Sequence, residues 1–403
     1  MAKSKGGARV FIPCEPQEGE RRAAATPASV KGLITLGLVV TIEKDAGKEA
    51  GFSDDEYKKA GAAIATDTAK GYTDADIVLA VNAPSSHPDT KLNQGDMIKP
   101  GAWWVSFLIP QTDKDAVNTL SRRRSTCFSM NLVPRISRAQ KMDALSSQSN
   151  IAGYKAVMLA ADALDKVMPL MMTAAGTINP AKVVILGAGV AGLQAIATAR
   201  RLGAKVEASD IRSAVKEQVE SLGAKFIDVP TDENAEDKGG YAKEASKDYL
   251  KRQAEEVGRR LAQADIAITT ALIPGRRAPL LITAEMVKSM PQGSVIVDLA
   301  AVAGGNCELT FPGKTIQKHG VTIIGETNIP ALVPFHSTQM YANNMLAFVQ
   351  SIVKDGVLSI DKTDEVVRDS MVLEEGKEPT KETVTEARPT PKKRPATKGG
   401  GKR

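Results

Sequence analysis

Aromatic residues are scarce. Phe, Tyr and Trp make up 4% of the 403 residues, so any core must be built mostly from aliphatic side chains. Cys14, Cys127 and Cys307 are the only cysteines. An odd, widely spaced set excludes a disulfide framework and fits a reducing cytoplasm. His87, His319 and His336 are equally scattered, and no Cys/His spacing forms a metal site. No run reaches the ~18 uninterrupted apolar residues that a spanning helix needs. The start, Met-Ala-Lys-Ser-Lys-Gly-Gly, has no apolar segment behind it, so we expect no secretory signal. Acidic residues are absent from 388–403, where seven Lys and Arg fall. Without those seven, 46 basic residues face 47 acidic ones, so the formal charge of +6 belongs to a tail. That tail, rich in Pro, Thr and Gly, reads as disordered chain drawn to anionic lipid headgroups, not as a nucleic-acid arm.

What is present is alternation. Residues 8–14, Leu38–Glu43, Asp76–Val81 and Trp103–Ile109 read as strands. Between them, Thr26-Pro27 and Ser53-Asp-Asp-Glu are helix starts, each with a hydroxyl to cap the first turn. Asn150–Val167 is Ala-rich and uninterrupted, a helix crossing into a second unit. The pattern then restarts. Strands are expected at Ala181–Leu186, Lys205–Asp210, Lys225–Val229, Asp265–Thr270, Ser294–Leu299 and Val321–Gly325. A last helix, Gln339–Val353, should pack back on the first unit. The expected fold is α/β, with two doubly wound, parallel-sheet (Rossmann-like) domains joined by long helices. The expected boundaries are 8–148 plus 335–358, then 149–334, with a disordered basic tail over 361–403.

The second unit opens with Gly187-Ala-Gly189-Val190-Ala-Gly192 between a strand and a helix. In that context Gly187 permits the tight turn and Gly189 lets a pyrophosphate approach the backbone. Gly192 lets helix pack on strand, and the helix N-terminus faces the anion. Asp210 ends the second strand at the offset of a ribose-binding acid, which favours NAD(H) over NADP(H); its alternative role is to cap the next helix. Ile211 follows it, and Arg212 is the feature that dissents from an NAD(H) preference. Thr270, Ala271, Leu272 and Asp298 lie at other strand ends, where open α/β sheets bind ligands. The polar insert 231–247 reads as a lid, with Gly239-Gly240 as hinge and Tyr241 as its one aromatic.

Upstream, residues 134–150 are dense in hydrogen-bonding groups. Arg135, Gln140, Asp143 and Ser146 supply a cation, an amide, a carboxylate and a hydroxyl. Taken alone this is a solvated loop leading into a helix.

Together with Gln148–Tyr154, Met171–Thr177, Gly187–Leu202, Gly239–Lys243, Asp265–Gly275 and Gly304–Cys307, this run resembles the NAD(H)-binding alpha subunit of proton-translocating NAD(P) transhydrogenases. The likeness spans roughly residues 8–355. It implies direct hydride transfer between NADH on this chain and NADP⁺ on a partner. Arg135, Gln140, Asp143 and Ser146 would position the nicotinamide, and Tyr241 would close over it. It also implies a homodimer, an NADP(H)-binding beta subunit and a small membrane-spanning alpha component. The chain would sit on the cytoplasmic face of the plasma membrane through those partners and bind no nucleic acid. Alanine dehydrogenases resemble the same architecture but use a Lys where this chain has Asn82, a His where it has Ile109, and an acid near Val302. Of that set only Arg22 remains. A catalytically silent NAD(H)-binding module is the other alternative.

Overall fold

A computed structural model describes residues 6–228, 247–272 and 276–379. Two seven-stranded sheets, each parallel but for one edge strand, form its frame. In the first, the order along the sheet is Met371–Leu373, Thr126–Ser129, Trp103–Ser106, Ile77–Leu79, Arg9–Ile12, Val39–Glu43, Ala63–Ala65. In the second it is Lys225–Phe226, Lys205–Ser209, Lys182–Leu186, Ile266–Thr269, Val295–Asp298, Val321–Ile324, Thr315–Lys318. The central strands Ile77-Val78-Leu79, Val183–Leu186, Ile266–Ile268 and Val295–Val297 are buried throughout. Helices cover both faces, so these strands read as continuous aliphatic runs instead of alternating ones. That arrangement explains how so few aromatics suffice.

Four strands of these two sheets were not expected from the sequence, Met371–Leu373 being the last of them in the chain. Thr-Cys-Phe-Ser at 126–129 mixes polar and apolar residues, yet all four are buried. Ala63–Ala65 and Thr315–Lys318 are short edge strands in which no residue is fully buried. Thr315–Lys318 runs antiparallel to Val321–Ile324, in a hairpin turned by His319 and Gly320, both at positive φ.

The expected tail from residue 361 needs correction. Glu365–Ser370 is a helix capped by Asp364, and Met371–Leu373 is a strand antiparallel to Thr126–Ser129. Val366, Val367, Met371, Val372 and Leu373 are buried. These apolar residues, embedded in charged sequence, cover Thr126–Ser129 and leave a strand of only three residues at that edge of the sheet. The basic stretch 388–403 lies outside the described residues.

Two long helices join the sheets. Ala144–Ala163 starts six residues before the expected Asn150, because the Asp143 carboxylate caps its first turn by accepting from the Ser146 amide at 2.9 Å. Its buried face carries Ala152, Gly153, Ala156 and Ala160. A Cβ on Gly153 would stand 2.1 Å from the Ala191 carbonyl oxygen. Small residues therefore let this helix lie directly on Val190–Arg201, whose facing side offers Ala195 and Ala199. Pro334–Ile352, opened by proline at its first turn, buries Tyr341, Met345, Phe348, Val349 and Ile352 against Val10, Ile12 and Leu79 of the first sheet. The chain thus leaves the first sheet, builds the second and returns.

Candidate functional site

The centre of the second sheet's carboxyl edge is the turn after Lys182–Leu186. Gly187 has φ +101°, and a Cβ there would meet Thr270 Oγ1 at 2.5 Å. Thr270 donates that hydroxyl to the Gly187 carbonyl at 3.0 Å. A Cβ on Gly192 would fall 1.9 Å from the same carbonyl, so only glycine lets the helix start this close to the strand. Gly189 differs. The nearest atom to its notional Cβ is Arg212 Nη2, at 3.9 Å. The turn is thus packed tightly at its first and third glycines and open at its second. Gly189 caps the helix Val190–Arg201 without a side-chain bond, and Val190 is exposed. The amides of that first turn are suited to an anion.

Asp210 sits beside this turn. Its Oδ2 accepts from the Ala188 amide at 2.7 Å, and its Oδ1 from the Arg212 amide at 2.8 Å. It does not cap the following helix; its carboxylate is tied to the glycine turn instead. Arg212 lies over it in a bidentate pair, Nε to Oδ1 at 3.0 Å and Nη2 to Oδ2 at 2.9 Å. Ile211 is half-buried between them.

Thr270 and Ala271 close the other side of the turn, and Leu272 is exposed beyond them. Sequence reasoning missed the residue that holds this strand end. Asn306, fully buried, accepts from the Ala271 amide at 3.1 Å and donates to the Ala271 and Pro279 carbonyls at 2.8 and 2.7 Å. Asp298 also differs from its expected role. It is fully buried and accepts from Thr269 Oγ1, Thr310 Oγ1 and the amides of Ala300, Asn306 and Cys307. Five donors saturate the carboxylate. Asp298 organises the loop behind the cleft and presents no acceptor to it.

The polar run 134–150 is a short 3-10 helix, Ser137–Met142, leading into Ala144–Ala163. Arg135 and Gln140 are exposed. Asp143 and Ser146 are half-buried and bonded to each other, Ser146 Oγ donating to Asp143 Oδ2 at 2.6 Å. Arg138 anchors the run to Asp364 through two hydrogen bonds, one of them 3.0 Å. Both partners went unnoticed in the sequence because 226 residues separate them. One turn after Ser146, Asn150 donates to Gln194 on the glycine-turn helix at 3.2 Å. The expected positioning residues and the fingerprint thus share one pair of crossed helices. Tyr241 and the insert around it lie outside the described residues.

A buried polar junction connects the two sheets, and its acids were also missed. Glu20 makes a bidentate pair with Arg22, at 2.8 and 2.6 Å. It also accepts from Asn82 and Asn328 side chains, both at 3.0 Å. Arg22 Nη1 donates to Gln148 at 2.9 Å, and Gln148 donates to the Ser337 carbonyl. Burial opposes charge on Glu20, but the bonds and charge of Arg22 outweigh it and hold the carboxyl down to about 2. Next to it, Glu15 accepts from the amides of Val81 and Asn82 at 2.5 and 3.1 Å. Burial, reinforced by Glu20, pushes the Glu15 carboxyl up to about 8 despite those amides. Arg22 is therefore committed to the chain's own groups, and Asn82 bridges two acids.

Fold and cleft together define a two-sheet α/β protein with a dinucleotide fingerprint on its second sheet. The family model described as alanine dehydrogenase/PNT, N-terminal domain, matches residues 11–152, and its C-terminal counterpart matches 156–380. The first segment of NAD(P) transhydrogenase subunit alpha from Rhodospirillum rubrum is 49% identical over 372 residues, 91% of this chain and 97% of that protein. A solved structure of transhydrogenase from Sinorhizobium meliloti aligns with a TM-score of 0.83 at 43% identity, over 92% of this chain and 99% of that one. Alanine dehydrogenase of Bacillus subtilis is 29% identical, over 87% of this chain and 86% of that protein. The chain belongs to the alanine dehydrogenase/PNT family, and within it to the alpha subunits of NAD(P) transhydrogenase. Among the described residues no helix is long and apolar enough to cross a membrane.

Proposed function

We propose that this chain binds NAD(H) on the turn Gly187–Gly192 and aims the nicotinamide at NADP(H) held by a partner subunit. Hydride then passes directly between the two cofactors, coupled to proton translocation by membrane components. The nicotinamides supply the redox chemistry, and the protein supplies proximity and orientation. Gly187 and Gly192 set the turn, Gly189 admits the pyrophosphate, and Asp210 takes the adenosine ribose. Thr270, Ala271 and Leu272 flank the opposite side. Arg135, Gln140, Asp143 and Ser146 orient the nicotinamide, with Gln140 at the exposed tip nearest the partner. The observation that carries this reading is the crossing of helices Ala144–Ala163 and Val190–Arg201, which ties the polar run to the glycine turn. The assembly we infer holds two copies of this chain, an NADP(H)-binding beta subunit and a small membrane-spanning alpha component. The chain then rests on the cytoplasmic face of the plasma membrane.

Alanine dehydrogenase chemistry is disfavoured. It would need Arg22 to be available and a proton-handling side chain at position 82. Here Arg22 is bound to Glu20 and Gln148, and Asn82 cannot take a proton. The test is to mix the chain with an NADP(H)-binding subunit and follow hydride transfer from NADH to NADP⁺. Transfer is expected only with both proteins present. NADH binding without transfer would favour a silent module, and oxidation of L-alanine by the chain alone would restore the dehydrogenase. Gln140→Asn should slow transfer about tenfold or more with little change in NADH affinity. Equal loss in both would remove Gln140 from the positioning role.

A further inference from the structure

Asp210 has no acceptor capacity to spare. A carboxylate offers about four lone-pair positions, two on each oxygen. On Oδ1 they are taken by the Arg212 amide and Arg212 Nε; on Oδ2, by the Ala188 amide and Arg212 Nη2. The two backbone bonds fix the carboxylate against the glycine turn. The two side-chain bonds come from a single guanidinium, one to each oxygen. A vicinal diol presents the same pattern: two parallel donors, one for each carboxylate oxygen.

We propose that the Arg212 guanidinium stands in the two acceptor positions that the 2′- and 3′-hydroxyls of the adenosine ribose take, and that it swings off Asp210 when NAD(H) binds. This rests on reading the cleft as the NAD(H) site. The backbone bonds need not change, so the carboxylate remains aimed while only the side chain leaves. The Arg212 side chain is 16% exposed, and among the described residues no atom other than its own Nη2 comes within 4 Å of a Cβ on Gly189, which leaves room beside the turn for the guanidinium to shift. Two consequences follow for affinity and selectivity. Arg212 competes with the ribose and so weakens NADH binding. It also neutralises Asp210 and so softens the repulsion of a 2′-phosphate, which makes it a residue that sets nucleotide selectivity through Asp210.

The experiment measures binding of NADH, 2′-deoxy-NADH and NADPH to the full chain by nucleotide fluorescence, with association rates by stopped flow. The proteins are the parent, Arg212→Ala, Arg212→Lys and Asp210→Asn, each checked for folding by circular dichroism. Arg212→Ala should bind NADH roughly three- to tenfold more tightly, the range expected for losing a charged, partly shielded competitor. Its association should be faster, and the gain should shrink for 2′-deoxy-NADH. The preference for NADH over NADPH should widen. Arg212→Lys keeps the charge but not the two-pronged fork, so its gain should be smaller. Asp210→Asn should lose affinity for NADH and narrow the preference. Equal or weaker NADH binding by Arg212→Ala would overturn the proposal and make Arg212 a direct nucleotide contact. Failure of the parent and all variants to bind NADH would overturn the reading of the cleft itself, and this proposal with it.

Discussion

In both sheets the first strand lies between the second and the fourth, so each has a crevice where the winding reverses at the strands' carboxyl ends. After Arg9–Ile12 the chain turns through Pro13, Cys14, Glu15 and Pro16, with no glycine. After Lys182–Leu186 it turns through Gly187, Ala188 and Gly189. In the first crevice the Glu15 carboxyl group takes the amides of Val81 and Asn82 at the end of the fourth strand. In the second, among the described residues no side chain enters the turn at Gly189, and the nearest group is the guanidinium of Arg212. Topology supplies a crevice in each case. The turn residues decide whether the chain fills it with its own acid or leaves it for an anion from outside.

The comparison can be broken most forcefully at the second turn. Gly192→Ala should destabilise the chain by roughly 2–4 kcal/mol, because the new methyl collides with backbone that cannot step aside. It should also abolish NADH binding, read by urea denaturation and nucleotide fluorescence. Unchanged affinity would mean that close packing does not build the turn.

Glu15 gives the next largest effect. Its carboxyl titrates at about 8, above the ordinary 4.5, so the native chain keeps a proton that the unfolded chain has lost. That contribution to stability is whole below about pH 4.5 and is lost as pH rises through about 8. Glu15→Gln should be less stable than the parent at pH 5, since an amide nitrogen cannot accept from Asn82. The deficit should narrow by roughly 1–3 kcal/mol between pH 5 and 9. A deficit constant across that range would show Glu15 ionised throughout. Calorimetry should still find one NADH per chain in this variant; a second bound NADH would mean that the two crevices differ only by their plug.

Gly189→Ala should change least. Its backbone φ of −75° suits any residue, and no atom of the described residues crowds the new methyl. Stability should stay within about 0.5 kcal/mol of the parent, while NADH affinity falls about tenfold as the methyl meets the pyrophosphate. A stability loss like that of Gly192→Ala would erase the distinction between packed and open glycines.

Much of this architecture could be read locally. Glycine spacing marked the turn, aliphatic runs marked the central strands, and hydroxyls marked helix starts, because each depends on neighbours in sequence. Thr126–Ser129 and Met371–Leu373 could not be read that way. Thr126–Ser129 is a strand because it pairs with Trp103–Ser106 on one side and Met371–Leu373 on the other, and Met371–Leu373 because it finds that edge. Asn306 was equally hidden, since its partners Ala271 and Pro279 reach it only when the loops converge.

The sequence by itself determined two α/β units, the fingerprint turn and the polar run upstream of it. Short-range periodicity and glycine conformation are sufficient for that. Only the tertiary structure decided which acids are available. Asp298 looked like a ligand and is saturated by five donors; Glu20, which nothing in its own stretch of sequence marks, sits at the junction between the sheets, with Glu15 beside it. A carboxylate's role depends on how many donors surround it, and those donors come from segments that sequence order keeps apart.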